Sequence, residues 1–286
     1  MTKVAVIADI HSNAFALDAV IEDLGRVGVD EVWVAGDLVG RGPMGSAVVS
    51  RVRALGWPCI RGNHEDYLLS FIHRRVPVGW WDDAEWSCSR WMAAELGGDH
   101  VAFLDGLPMT GVSSQEAPLR LFHGSPASYQ DGLGPWTEEE KLLAFAAGME
   151  EGVLVCAHTH QPMHRWAGGK QFVNVGSVGI PFNGDWRAQY GIFEQGRDGA
   201  WSVELRQVLY DREAFLRHYD ASGFLREGGF TSRLLRQEIV HARPFLVTFL
   251  RWLDLTGRDH DEEHVPAFLE VYDPGAPLER LFAPNA

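Results

Sequence analysis

Eight side chains suited to metal-ion or acid–base chemistry stand where apolar runs of this chain end: Asp9, His11, Asp37, Asn63, His64, His123, His158 and His160. All but His64 are counted here as ligands for borderline divalent metals, which accept imidazole and carboxylate oxygen together. His11 follows Asp9 by two, and His160 follows His158 by two. In extended backbone that spacing returns both side chains to one side, so each pair could close on one locus. Asn63 and His64 are adjacent, which in extended backbone sends them to opposite sides and leaves His64 free to face a substrate. A lone core histidine is more often hydrogen-bonded than a ligand, and a lone Gly-Asp after a strand is a solvated turn. Five of the twelve histidines at such run ends argue against that reading for the set. Competing chemistries fail on spacing: there is no His-Glu-x-x-His, no paired cysteine, no Gly-x-x-x-x-Gly-Lys and no Gly-x-Ser-x-Gly.

The clusters need strands to deliver them. Lys3–Ala8 is a continuous apolar run, the pattern of a strand buried on both faces, and it leads into Asp9. Asn13 is a good N-cap for a helix with Leu17, Val20, Ile21 and Leu24 at helical spacing, ended by Gly25 and Gly28. Within Glu31–Gly42, Val32 and Val34 alternate with Trp33 and Ala35 before Gly36-Asp37. The default for this unit is a right-handed parallel crossover, with a site outside the strands' carboxyl ends. A second unit puts Pro43 in the first turn of a helix to about Leu55, then a strand at Trp57–Ile60 that ends in Arg61-Gly62-Asn63-His64-Glu65.

Further strands are expected at Leu119–Phe122 and Val153–Cys156, ending in His123 and in His158-Thr159-His160, with a helix from about Thr137 to Gly148 between them. Met163–Trp166, Gln171–Val175, Gln189–Phe193 and Trp201–Val208 read as short antiparallel strands, against a parallel front half, and Gly168-Gly169 suits a hairpin turn. Residues 66–118 read as a helical cap whose Trp80, Trp81, Trp86 and Trp91 either pack on the sheet or line a pocket mouth, and Gly111–Pro118 reads as a polar loop. From Tyr210 the pattern is helical. Leu235, Ile239, Leu246, Phe249 and Leu253 trace one face, broken at Pro244, and the final residues with His260 and His264 read as surface.

The chain has 286 residues, 46% hydrophobic and 22% charged, enough for one large α/β domain with an extension. Its formal charge of −14 offers no footprint for a nucleic-acid backbone. The three unclustered cysteines read as small buried hydrophobes. The first apolar run is broken at Asp9, too early for a signal peptide, so a soluble cytoplasmic protein without a membrane partner is expected.

The ordered series Asp9-x-His11, Gly36-Asp37, Gly62-Asn63-His64-Glu65, His123-Gly124 and His158-x-His160 resembles the calcineurin-like metallophosphoesterase superfamily. Within it, Asp-Ile-His-Ser-Asn and the Asn174–Gly179 loop resemble the small bacterial predicted phosphodiesterases. The resemblance covers residues 9 to about 193. It implies an α/β fold, a four-layer α-β-β-α sandwich, placed here over residues 1–209 with the cap read from the pattern at about 66–118; residues 210–286 carry none of the motifs and read as a helical extension packed on the same domain. It implies two divalent metal ions, manganese foremost, with iron, zinc, nickel or cobalt as alternatives. One ion would take Asp9, His11, Asp37 and His160, and the other Asp37, Asn63, His123 and His158, with Asp37 bridging.

By the same resemblance a bridging hydroxide attacks a phosphomono- or phosphodiester bond in a small or exposed substrate, and His64, with a pKa near neutrality, protonates the leaving oxygen. Two positions depart from the family's pattern. Ala157 replaces a usual glycine, and Gly40 stands where the protein-phosphatase branch has Asp. Arg41 matches that branch's phosphate-binding arginine, or is a plain surface arginine. A scaffold of this fold with weak or lost catalysis and a nuclease remain the alternatives, and a homo-oligomer is left open.

Overall fold

In the computed structural model, which describes residues 2–276, the first apolar run is strand β1, Thr2–Ile7. Its two faces serve two cores, as alternation requires. Val4 and Val6 pack between sheets with Leu121, Val155 and Phe193, while Ala5 and Ile7 face helices. Helix α1, Ala14–Val27, starts at Asn13, whose side chain accepts from the Ala16 amide, and Gly28 closes it; Gly25 lies inside it. β2, Glu31–Val34, runs parallel to β1. Helix α2, Gly45–Leu55, begins after Pro43, and Glu95 accepts from the Ser46 amide in its first turn. A distant carboxylate, not the proline, therefore fixes where this helix starts.

The expected strand at 57–60 does not form. One parallel bridge joins Val34 and Cys59, and Pro58 within the stretch has no N–H to extend a ladder. The cap comprises α3, Asn63–Ile72, two short 3₁₀ turns at Val78–Trp81 and Ala84–Trp86, α4, Ser87–Glu95, and α5, Gly98–Asp105. The predicted polar loop instead opens with β3, Thr110–Val112, an antiparallel edge strand on β4, Leu119–Phe122. Three residues are too few to show alternation, so pairing decides that strand.

The rest of the sandwich is α6, Glu139–Phe145, shorter than expected, then β5, Val153–Cys156, β6, Met163–Ala167, β7, Lys170–Asn174, β8, Ala188–Gln195, and β9, Trp201–Val208. The sheets run β2-β1-β8-β9 and β3-β4-β5-β7-β6. Parallel and antiparallel pairs occur in both, because β8 returns to pair antiparallel with β1 while β4, β5 and β7 run parallel. The front and back halves are thus not separated by strand direction. Helix α6 covers the outer face of the second sheet through Leu142 and Ala146. The first sheet is covered by α1, α2 and α7, Arg212–Ala221, giving four layers, α-β-β-α.

Beyond α7 come α8, Phe224–Glu227, α9, Gly229–His241, α10, Leu246–Thr256, and α11, Val265–Val271. The break between α9 and α10 holds Pro244, as its missing N–H predicts. Phe230, Leu234, Phe245, Phe249, Leu253 and Phe268 form a small core of their own, while Leu235 and Ile239 join the main one. His260, expected at the surface, is only 33% exposed in its side chain and bonds Glu85 of the cap at 2.6 Å. Cys59, Cys88 and Cys156 are free and buried. Among the described residues no helix is long and apolar enough to cross a membrane.

Candidate metal centre

The turns after the strands do not carry their side chains by extended spacing. Asp9, His11, Asp37, Arg41, His158 and His160 all have positive φ, between 48° and 67°. Left-handed backbone costs a non-glycine residue roughly 1–2 kcal/mol, so six such residues around one locus mark strain held for function. The surroundings over-determine it. The Asp9 amide donates to Gly36 O at 3.1 Å, the His11 amide to Asp37 O at 3.0 Å, and Gly179 N to Asp9 O at 2.9 Å. Only glycine lets the 174–179 loop press on this turn, since a Cβ at Gly179 would lie 1.9 Å from the Ile10 carbonyl oxygen.

Asn63 and His64 also differ from expectation. They occupy the first turn of α3, where neighbours diverge by about 100° rather than pointing oppositely. Gly40, with φ +90°, lies beneath His64: a Cβ there would sit 2.5 Å from His64 Nδ1. No side chain fits at that departure from the phosphatase pattern.

The seven ligand candidates converge. Each of two carboxylates has one oxygen tied by a backbone amide: Asp9 Oδ2 accepts from His158 N at 3.1 Å and Asp37 Oδ1 from His64 N at 2.9 Å. The other oxygens face inward. Asp9 Oδ1 lies 3.5 Å from His160 Nε2, 3.8 Å from His11 Nε2 and 3.9 Å from His123 Nε2. Asp37 Oδ2 lies between His123 Nε2 at 3.3 Å and His11 Nε2 at 3.6 Å, one imidazole from each expected ligand set. Asn63 Oδ1 meets His123 Nε2 at 3.1 Å and His158 Nδ1 at 2.9 Å. Carbonyls of Val39, Ala35 and Ile180 face the Nδ1 atoms of His11, His123 and His160, which turns each Nε2 to the centre.

Two observations fit this donor set to metal ions. Asp9 Oδ1 is buried with no hydrogen-bond partner, an orphan that a cation would satisfy. Atoms about 2.1 Å from a common ion stand roughly 3–4 Å apart, the separations found here.

Burial holds His11 and His160 well below the ordinary histidine value and pushes His158 down to about 4, so their nitrogens keep free lone pairs. Burial also lifts Asp9 well above its usual range, although His123 opposes it. Burial alone would raise Asp37, but the charges of His123 and His64 carry it well below. Burial alone would lower His123, yet Asp37 and then Asp9 carry it up to about 10. Two buried carboxylates thus demand positive charge, which a proton on His123 supplies and a divalent ion would replace. His64 is not near neutrality: burial, with the Arg41 charge adding to it, pushes it down to about 3 against the pull of Asp37.

Arg41 is no surface arginine. It is 9% exposed, its Nε donates to His64 Nε2 at 3.2 Å, and its Nη1 donates to Glu238 at 2.6 Å. Glu238, wholly buried in α9, stands outside every motif of the sequence, and no local signal marks it. Glu65, inside the Gly62–Glu65 motif, holds the turns together. Its carboxylate, raised to about 7 by burial and then by Asp37, accepts from the amides of Gly62, Asp37 and Val39 and ties α3 to the Asp37 turn. Its place three residues after Gly62 is the capping-box position and could have revealed it.

The family model of the calcineurin-like phosphoesterase superfamily domain matches residues 2–197, and the chain belongs to that family. An uncharacterized protein of Methanocaldococcus jannaschii is 26% identical over 228 residues, 73% of this chain and 88% of that protein. A symmetrical bis(5'-nucleosyl)-tetraphosphatase of Erwinia tasmaniensis is 39% identical over 69 residues, 23% of this chain and 25% of that enzyme. The crystal structure of a metallophosphoesterase from Sphaerobacter thermophilus superposes with a TM-score of 0.68 at 25% identity, covering 84% of this chain and 99% of that one.

Proposed function

We propose that the protein is a metal-dependent phosphoesterase that hydrolyses the phosphomono- or phosphodiester bond of a small or exposed substrate. Asp9, His11, Asp37 and His160 would hold one divalent ion and Asp37, Asn63, His123 and His158 a second. Bound there, the ions supply Lewis acidity at the phosphoryl oxygens and lower the pKa of the attacking water. The chain's own groups do the rest. Arg41 presents a guanidinium, held by Glu238, to the phosphoryl oxygens. His64 stands beside Asn63 at the cavity wall; the negative charge of a bound substrate would raise its pKa against burial and Arg41, so that it takes up a proton from solvent on binding and passes it to the leaving oxygen.

The observation that carries this reading is the unpartnered Asp9 Oδ1 among three imidazole nitrogens. The relative named a tetraphosphatase adds support for hydrolysis at phosphorus. The test is elemental analysis of the purified chain, with hydrolysis of 4-nitrophenyl and bis(4-nitrophenyl) phosphate under added manganese and after chelation. Two ions per chain and metal-dependent release of nitrophenolate are expected. Bound metal without turnover of either ester would favour the scaffold alternative, and no metal uptake would sink the reading. Tight, salt-resistant binding of duplex DNA would revive the nuclease.

A further inference from the structure

A cavity of about 390 Å³ opens from the candidate centre, within the roughly 300–1,000 Å³ typical of ligand sites. Arg41, Asn63, His64 and His158 form its reacting end. Its far walls are apolar: Trp86 and Met92 come from the cap, and Leu235, Leu246, Val247 and Leu250 from α9 and α10. Trp86 is fixed by stacking on Trp80, with centroids 3.9 Å apart and planes 12° apart. The opposite wall is fixed by Glu238, one of whose oxygens accepts from the amides of Phe245 and Leu246 at 2.9 Å while the other holds Arg41. One buried carboxylate thus sets both the guanidinium at the reacting end and the start of the apolar wall.

Three of the polar lining groups, Thr231, Glu85 and Gln130, are engaged within the protein, and the Ser89 hydroxyl also lines the cavity. Thr231 donates to Gly228 O at 2.8 Å, Glu85 meets His260 at 2.6 Å, and Gln130 donates to the Tyr67 hydroxyl at 2.9 Å. A hydroxyl-rich substituent would lose its water here without regaining these partners.

Resting on the phosphoesterase reading above, we propose that this cavity binds the esterifying group of the substrate, and that the group it takes is apolar, an alkyl chain or aromatic ring rather than a sugar or glycerol. Because the cavity ends on His64, Asn63 and Arg41, its occupant is whatever is bonded to the phosphoryl group. The C-terminal helices, which carry none of the strand-end chemistry, then set substrate choice.

The test is calorimetric binding of non-hydrolysable alkylphosphonates, methyl to hexyl, and of 2,3-dihydroxypropylphosphonate to the manganese-loaded chain. Affinity should rise about two- to fourfold per methylene, the dihydroxypropyl compound binding no better than the methyl one. Val247 is 44% exposed, so Val247→Glu should fold while placing a charge on the apolar wall. It should weaken hexylphosphonate at least tenfold more than methylphosphonate, and Leu250→Gln, with an unchanged melting curve as control, should repeat the effect. Binding that ignores chain length, or equal losses for both ligands in a folded variant, overturns this inference alone. No binding of any phosphonate, methyl included, overturns the phosphoesterase reading with it.

Discussion

Two regions of the molecule meet at Arg41, and they encode their contributions differently. The strand ends between Asp9 and His160 concentrate ligand side chains at the close of apolar runs, so their chemistry is written in residue type and position. The helices from α7 onward carry aromatic and aliphatic core residues, and among the described residues they reach the centre through the buried carboxylate of Glu238. A site can therefore be announced by one region and completed by another whose sequence looks purely structural.

Substitutions can break this division. The largest effect is expected from the strand-end side. Asp37→Ala removes the oxygen lying between His11 and His123, and should empty or scramble both metal positions and take activity to background, read by metal content per chain. Two ions with near-normal rates would remove the shared role. Next, His64→Ala should keep both ions while turnover falls on the order of 10²–10⁴-fold for an alkyl leaving group, and much less for nitrophenolate, which leaves without a proton. Because His11, Asp37 and His64 also lie close enough to share an ion, loss of metal in that variant would make His64 a ligand.

Glu238→Ala probes the other region. It strands the Arg41 charge in a buried setting and should cost about 3–5 kcal/mol in denaturant unfolding. The double variant Arg41→Met/Glu238→Leu should recover most of that stability without recovering turnover. Full activity in the double variant would reduce the pair to a structural strut.

The smallest effect concerns the latch between extension and cap. The bond to Glu85 raises the His260 pKa above its ordinary value. Its stabilisation is therefore complete below about pH 6.5 and fades as pH rises through the folded value. His260→Ala should cost at most about 0.5 kcal/mol at pH 5.5, where the partly exposed pair is screened, and nothing measurable at pH 9.

The sequence showed the parts of this site that depend on local residue type. β1, α1 and β2 follow from apolar runs, an Asn cap and alternation, and the ligand candidates from their positions after those runs. Backbone conformation was not legible: spacing by two suggested extended pairs, whereas left-handed turns, the Asp9–His11 one pressed by the 174–179 loop, aim the side chains. Nor were long-range partners. Glu95 starting α2, β3 forming on β4, and Glu238 meeting Arg41 across 197 positions are decided by tertiary contact, which local pattern does not record.

The pairing of β1 with β8 has a consequence in time. Thr2–Ile7 is made before both of its neighbours in the sheet, and one of them, Ala188–Gln195, follows roughly 180 residues later. At synthesis rates of about 5–20 residues per second, that edge of β1 waits roughly 10–40 s on the nascent chain. Through that interval Val4 and Val6 lack Phe193 of β8, with which they share the inter-sheet core, on the strand that delivers Asp9. The strand that delivers Asp9 therefore completes its pairing only with the return of β8, after the last ligand candidate, His160, has been synthesised.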